Sequence, residues 1–228
     1  MDENTGNVQK SYDQVADEYV SRIYHELEHK PLDRGLLDRF AQEVGGLGPV
    51  YDLGCGPGHV TRYLHEQGVP ALGIDVSPRM VVLARKLNPG IAFQQGNMAS
   101  LDVEDGSCVG IVAFYSIIHF PRPQVVPVLQ EFRRVLQPNG LLLLAFHQGQ
   151  EVRHVEEWWG KQVLLDAVFF ERDEMEGYLK EAGFDIEESI ERAPYAEVET
   201  QTQRVYIFGR RPRERTFFAQ EASTVFLS

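Results

Sequence analysis

Between Pro49 and His147 short apolar runs alternate with segments of helical period, and this alternation restricts the fold more than any other feature of the chain. The spacing predicts strands over 49–53, 70–75, 91–95, 108–114 and 140–147, and helices over 58–67, 78–87 and 125–136. Strands separated by helix-length segments return in the same direction through right-handed crossovers, so their sheet is mainly parallel and covered on both faces. Ser77-Pro78 reads as an N-cap and first helical residue, and Pro138-Asn139-Gly140 as the turn between a helix and a strand. Pro127 is tolerated only in a helix's first turn, which places the start of that helix near Val125.

Two amphipathic helices precede this core. Tyr12, Val15, Ala16, Tyr19, Val20 and Ile23 share one helix face, and Leu32, Leu36, Leu37, Phe40 and Val44 share another after Pro31. Over 148–171 the periodicity fails, although Trp158, Trp159, Leu164, Leu165, Phe169 and Phe170 keep the segment apolar. A helix near 173–182 stops at Gly183, and Phe184, Ile186 and Val205–Phe208 supply two last strands, expected as an antiparallel hairpin at the sheet's edge. We therefore read residues 1–210 as one domain, with a helical lid over 1–45, a substrate-covering insertion over 148–171, and a tail over 211–228 that has no clear period.

Bulk properties exclude several partners. With 22 basic against 34 acidic residues the chain carries −12, which works against binding nucleic acid or an anionic membrane surface. Cys55 and Cys108 are the only cysteines, and we read both as reduced thiols of a cytoplasmic protein. No CxxC pair and no carboxylate and histidine set at ligand spacing points to a metal. The polar start MDENTGNVQK lacks a signal peptide's apolar core, and the longest apolar run, 109–120, is too short to span a bilayer.

The loop after the first strand reads Asp52-Leu-Gly54-Cys55-Gly56-Pro-Gly58. In a parallel sheet this loop lies where ligands bind, and its bare backbone lets a ligand rest on it with a helix N-terminus behind. The dinucleotide fingerprint needs glycine at 59, where this chain has His59, and no Lys-Ser/Thr of a phosphate loop comes after it. Asp52 would repel a pyrophosphate but attract an ammonium, and Asp75, ending the second strand, is placed to accept both hydroxyls of a ribose. An amino-acid end and a ribose in one ligand suggest S-adenosylmethionine.

An ordered set of motifs supports that reading: SYDQVADEY (11–19), VYDLGCGPGHVTRYL (50–64), ALGIDVSPRMVVLAR (71–85), GNMASL (96–101), FYSIIHF (114–120), RVLQPNGLLLLAFH (134–147) and KEAGF (180–184). Over roughly residues 11–210 the chain resembles a class I S-adenosylmethionine-dependent methyltransferase, close to the small-molecule group described as type 11. The resemblance implies a Rossmann-like, doubly wound α/β fold with a seven-stranded sheet. It also implies that Asp52, Gly54, Gly56 and Gly58 surround the methionine part, that Asp75 clamps the ribose, that Met80 flanks adenine, and that Cys55 and Val76 belong to the same cofactor site. Asn97 and Met98 fall where the family reads the adenine edge. Asn97 departs from the usual acidic residue, and its neutral amide oxygen is expected to give about 1 kcal/mol less binding. Tyr12 and Tyr19 resemble the aromatic pair that closes over the cofactor, with two core aromatics as the competing reading.

A sulfonium methyl group is already activated, so such an enzyme must hold its nucleophile in line and exclude water, and needs a base only for a protonated nucleophile. His119, past the fourth strand, is the first candidate base, the alternative being a cap on the next segment, and His147, ending the fifth strand, is the second. Tyr115, expected at the cofactor, and Ser116 could line the methyl channel, while Trp158 and Trp159 could wall an acceptor pocket or pack on the core. These features imply methyl transfer to an oxygen or nitrogen of a small molecule. The alternatives are a protein-side-chain methyltransferase and a non-catalytic module that binds the same cofactor. Oligomeric state is not legible in the sequence.

Overall fold

The computed structural model describes residues 3–213. Its centre is a sheet of strands β1 (Val50–Leu53), β2 (Ala71–Asp75), β3 (Ala92–Gln95), β4 (Cys108–Phe114), β5 (Leu136–His147), β8 (Asp185–Arg192) and β9 (Arg204–Arg210), in the order β3-β2-β1-β4-β5-β9-β8. The first five are parallel; β9 runs antiparallel to both β5 and β8. Strand order reverses between β1 and β4, which opens a crevice at their carboxyl ends.

Both faces of the sheet are buried, as expected of parallel strands. Along β5, Leu142, Leu144 and Phe146 point to the face covered by α5 (Arg122–Val135) and α6 (Arg172–Glu181). Leu141, Leu143 and Ala145 point to the other face, against α2 (Pro31–Val44) and α3 (His59–Glu66). Each leucine or phenylalanine so buried contributes about 1.5–3 kcal/mol. The remaining helices are α1 (Glu3–Ile23) and α4 (Pro78–Leu87), the latter capped by the Ser77 hydroxyl, which accepts the Met80 N–H at 3.0 Å.

Several expectations shift. Helix α5 starts at Arg122, with Pro123 in its first turn and Pro127 inside; Pro127 forfeits one hydrogen bond to the carbonyl of Pro123 early in the helix. The turn at Pro138–Gly140 falls within β5, where Asn139 takes φ 69° and the register against β4 slips between Cys108 and Gly110. Segment 148–171 is not irregular. It folds as an antiparallel hairpin, β6 (Val152–Trp158) and β7 (Lys161–Val168), whose connecting pair Trp159-Gly160 has φ of 51° and 75°. Two residues at positive φ make the type I′ turn that fits strand twist.

The two N-terminal helices have different places. Leu36, Leu37, Phe40 and Val44 embed α2 in the core beside Val50 and Phe208, whereas α1 crosses the crevice. A lid drawn over 1–45 thus includes a helix that belongs to the body. Residues 214–228, most of the expected tail, lie outside the described residues. Among the described residues no helix is long and apolar enough to cross a membrane.

Candidate active site

The glycine loop is pinned to β2, the Ile74 carbonyl accepting the N–H of Gly54 at 2.8 Å and of Cys55 at 3.2 Å. Gly58 begins α3 at φ 83°, and a Cβ there would stand 2.5 Å from the Phe93 ring. At Gly54, φ 77°, a Cβ would stand 2.4 Å from that of Ser116, so these two glycines permit close packing in the left-handed region. Gly56 lines the crevice beside Gly54, and a Cβ on it would meet only the Tyr19 ring, at 3.7 Å.

Asp75, at the end of β2, is 8% exposed. Its carboxylate accepts the Gly56 N–H and the Ser77 N–H, each at 2.8 Å, and burial still pushes its pKa up to about 6. It therefore fixes the glycine loop and the start of α4 while facing the cavity with its remaining lone pairs. Val76, Gly96, Asn97 and Met98 continue the wall, and Phe114, Tyr115, Ser116, His119 and Phe120 carry it past the end of β4.

Helix α1 roofs the cavity with Asn4, Thr5, Val8, Tyr12 and Tyr19. On one side Asp13 accepts the Ser77 hydroxyl (2.5 Å) and the Arg79 N–H (3.1 Å), and Asp17 pairs with the Arg79 guanidinium at 2.9 Å. On the other, the Ser11 hydroxyl accepts the Leu164 N–H at 2.9 Å, and Val8 and Val15 pack on Val163 and Leu165 of the hairpin.

His119 has a defined protonation pattern. Its Nδ1 lies 3.0 Å from the Asp166 carbonyl, which can only accept, so Nδ1 carries the hydrogen and Nε2 presents its lone pair to the Tyr12 hydroxyl at 2.8 Å. Burial lowers the imidazole's pKa and raises the phenol's, so both are neutral. Tyr12 thus donates to His119 and leaves its oxygen lone pairs to accept.

The structure gathers Tyr12, Tyr19, Gly54, Gly56, Asp75, Val76, Asn97, Met98, Tyr115, Ser116 and His119 around one cavity. Seven expected residues are not in its lining. Asp52 faces α3, accepting the Thr61 hydroxyl at 2.6 Å, and burial raises its pKa to about 6. Cys55 packs with Val81, Ala84 and Phe93, Met80 is fully buried, and Gly58 is spent on starting α3.

His147 is the larger correction. Its Nδ1 receives the Arg204 guanidinium at 2.7 Å and the Thr202 hydroxyl at 2.8 Å, and burial beside Arg204 lowers its pKa to about 3, so it has no free basic lone pair at that nitrogen. Trp158 and Trp159 stack on each other at 4.6 Å and brace α1 from outside, Trp158 against Tyr12 and both against Tyr19. Asn97 turns its amide oxygen toward the Ala99 N–H at 3.0 Å, leaving one lone pair for any ligand.

Asn4, Thr5, Val8, Gly96, Phe114 and Phe120 also line the cavity; Gly96 lies in the motif GNMASL and Phe114 and Phe120 in FYSIIHF without having been given a site role, and the other three lie outside every motif. Val8 stands one helical turn before Tyr12 on the same face, which is the signal that could have found it. Tyr115 is unusual for a bulky residue in taking φ 53°. Its hydroxyl is 2.9 Å from that of Tyr206, which donates to Asp33 at 2.8 Å, and Lys30 and Arg204 lie over its ring at 5.6 and 5.4 Å.

Residues 50–140 match a family model described as a methyltransferase domain. Trans-aconitate 2-methyltransferase of Methylobacterium nodulans is 38% identical over 95 residues, 41% of this chain and 36% of that one. Magnesium-protoporphyrin O-methyltransferase of Rhodobacter capsulatus is 29% identical over 147 residues, 58% of this chain and 64% of that one. The chain spans between 36% and 65% of the length of the curated relatives it matches. Among solved structures, magnesium protoporphyrin IX methyltransferase from Synechocystis PCC 6803 with bound S-adenosylmethionine superimposes with a TM-score of 0.66 at 17% identity, covering 92% of this chain and 98% of that one. Residues 50–140 thus match a methyltransferase domain, and the chain shares the fold of S-adenosylmethionine-dependent methyltransferases of solved structure.

Proposed function

We propose that this protein transfers a methyl group from S-adenosylmethionine to an oxygen or nitrogen of a small-molecule acceptor held between His119 and α1. The observation that carries this reading is the single roofed cavity running from Asp75 to the Tyr12–His119 pair. Its residues fit the cofactor. Asp75 offers anionic lone pairs to two ribose hydroxyls, Val76 and Met98 offer apolar flanks to adenine, and Gly54 and Gly56 leave backbone bare beside the methionine part. Asp52 supports this site from behind by holding Thr61 on α3.

When bound, the cofactor supplies an electrophilic methyl group on a sulfonium. The roof of α1 excludes water and orients the acceptor, effects that together account for about 7–11 kcal/mol in well-aligned reactions. For an acceptor that arrives as a hydroxyl, its proton passes to the Tyr12 oxygen as the Tyr12 proton passes to His119 Nε2. The imidazolium so formed keeps its Nδ1–H on the Asp166 carbonyl. Relatives named for trans-aconitate, malonyl-acyl-carrier protein and magnesium protoporphyrin favour a small acceptor or acceptor group over a folded protein.

Titration calorimetry with S-adenosylmethionine and S-adenosylhomocysteine tests the reading, followed by an acceptor screen read as methylated product by mass. Micromolar binding and a methylated product are expected. A folded protein that binds neither compound up to millimolar concentration would overturn the proposal.

A further inference from the structure

Ser11, Tyr12 and Asp13 are consecutive on α1, so their side chains leave the helix about 100° apart and reach three different walls of the cavity. Ser11 meets the hairpin at the Leu164 N–H, at 2.9 Å, and Tyr12 meets His119 past the end of β4, at 2.8 Å. Asp13 reaches the start of α4, where one carboxylate oxygen accepts the Ser77 hydroxyl at 2.5 Å and the Arg79 N–H at 3.1 Å. Tyr12 and Tyr19 line the cavity, whereas Asp13 does not.

Asp13 is not needed to cap α4. The Ser77 oxygen already accepts the Met80 N–H at 3.0 Å, and Pro78, next along, has no N–H to satisfy. The Asp13 charge also works against the ionisation of Asp75. What this carboxylate does is join two parts of the site. Ser77 is fully buried; its N–H donates to Asp75 Oδ1 at 2.8 Å and its O–H to Asp13, so one residue ties the ribose end of the cavity to the roof. The other oxygen of Asp75 holds the Gly56 N–H at 2.8 Å, and a Cβ on Gly56 would touch the Tyr19 ring at 3.7 Å. The contacts from Asp13 through Ser77, Asp75 and Gly56 to Tyr19 therefore form a circuit that starts and ends on α1. The second tie between α1 and α4, Asp17 with Arg79, is exposed and lies outside this circuit.

We propose that Asp13 is a positioning residue for the cofactor: through Ser77 it seats α1 over the ribose end of the cavity, and S-adenosylmethionine binds to the circuit so closed. The inference rests on the methyltransferase reading and adds to it a residue outside the cavity wall. Affinity falls with the fraction of molecules in the binding-competent arrangement, so loosening this seat raises the Kd of the cofactor and of its product alike.

Titration calorimetry with S-adenosylhomocysteine at about pH 8, where Asp75 is ionised in every variant, tests the proposal. Asp13→Ala is expected to raise Kd about tenfold. Asp13→Asn, whose amide oxygen can still accept the Ser77 hydroxyl, is expected to raise it by no more than about threefold. Arg79→Ala removes only the exposed ion pair and is expected to stay within about twofold. A folded Asp13→Ala protein that binds within about twofold of the natural chain, whatever its melting temperature, overturns the inference and leaves the cofactor reading standing. So does an Arg79→Ala protein that loses as much affinity as Asp13→Ala, since any tie between α1 and α4 would then serve. If the alanine variant does not fold, Asp13→Ser, whose oxygen falls one bond short of Ser77, takes its place under the same criteria. A natural chain that does not bind the product removes both readings.

Discussion

Replacing Asp75 by Asn separates the ribose-binding role proposed for this residue from its part in the fold. The carboxylate is buried, and its pKa of about 6 against an ordinary 3.8 corresponds to about 3 kcal/mol of unfavourable ionisation at neutral pH. A carboxyl whose pKa is higher in the folded than in the unfolded chain weakens the fold wherever it is ionised. Its contribution to stability therefore grows as pH falls from about 7 to about 4. Asparagine removes that burden and adds another. The two backbone donors that meet the carboxylate, from Gly56 and Ser77, would face one oxygen and one NH2, and the unmatched N–H costs about 1–3 kcal/mol. The two terms nearly cancel, so the melting temperature at neutral pH is expected to stay within about 5 °C, at about 2–4 °C per kcal/mol for a chain of this size.

Cofactor binding has no such compensation. A carboxylate can accept both ribose hydroxyls with charge assistance, whereas the amide oxygen can serve one and without charge. The loss is about 2–3 kcal/mol, or about a 30- to 150-fold rise in Kd. Titration calorimetry with S-adenosylhomocysteine gives the affinity, and thermal unfolding at about pH 7.5 and about pH 5 gives the stability. The variant is expected to gain less stability on acidification than the natural chain does. A variant that melts 10 °C or more lower (about 3 kcal/mol or more) yet binds within about threefold of the parent would show that Asp75 holds the loops and not the ribose.

Tyr12→Phe removes the hydroxyl that the proposed proton route places between acceptor and His119. With an identified hydroxyl acceptor, product affinity is expected to stay within about twofold while kcat falls about 10²- to 10⁴-fold, and an unchanged kcat would rule out this proton route. Gly58→Ala forces an L side chain to φ 83° and brings its Cβ to 2.5 Å from the Phe93 ring. Urea unfolding should show a loss of about 2–4 kcal/mol, and a loss under about 1 kcal/mol would mean that Phe93 swings clear. Ser11→Ala leaves the Leu164 N–H without its partner at the seam between α1 and the hairpin. Hydrogen exchange in residues 3–23 should then accelerate by about fivefold, the equivalent of about 1 kcal/mol, and unchanged protection would place the hold on α1 elsewhere.

The central sheet was legible because strands buried on both faces read as apolar runs, punctuated by residues such as Gly58, Ser77-Pro78 and Gly183 whose backbone preferences are strong. The hairpin at 152–168 was not. Arg153, His154, Glu156 and Glu157 interrupt its first strand, and its type I′ turn is built from Trp159-Gly160 in place of the usual Asn-Gly or Asp-Gly. Asp52 was misplaced for a different reason. Its nearness to the glycines in sequence suggested a ligand, but neighbouring residues of a strand face opposite ways. Tyr51 and Leu53 join the cluster under α5, while Val50 joins Val60 and Leu64 of α3, and Asp52, two residues from Val50, meets Thr61 on that same helix.

The floor of the site was hidden most completely, because it consists of charges that look solvated one at a time. Asp33 pairs with Arg192 across 159 positions of sequence, Arg192 with Glu199, and Glu199 with Lys30 and Arg204, and all five side chains are at most 9% exposed. Removing one partner of such a buried pair costs about 3–5 kcal/mol, so the start of α2 is fixed to the C-terminal strands. The network also sets the Tyr115 ring, through Tyr206 and Asp33 at its hydroxyl and Lys30 and Arg204 over its face. By contrast, the polar ties of α1 to α4 include an exposed ion pair at Asp17 and Arg79, of the kind that contributes about 0–1 kcal/mol. The two N-terminal helices are thus held by different means: α2 is tied into the floor by buried ion pairs, whereas α1, over the cavity, is held by the hydrogen bonds of Ser11, Tyr12 and Asp13, by the packing of Val8 and Val15 on the hairpin, and by one exposed ion pair.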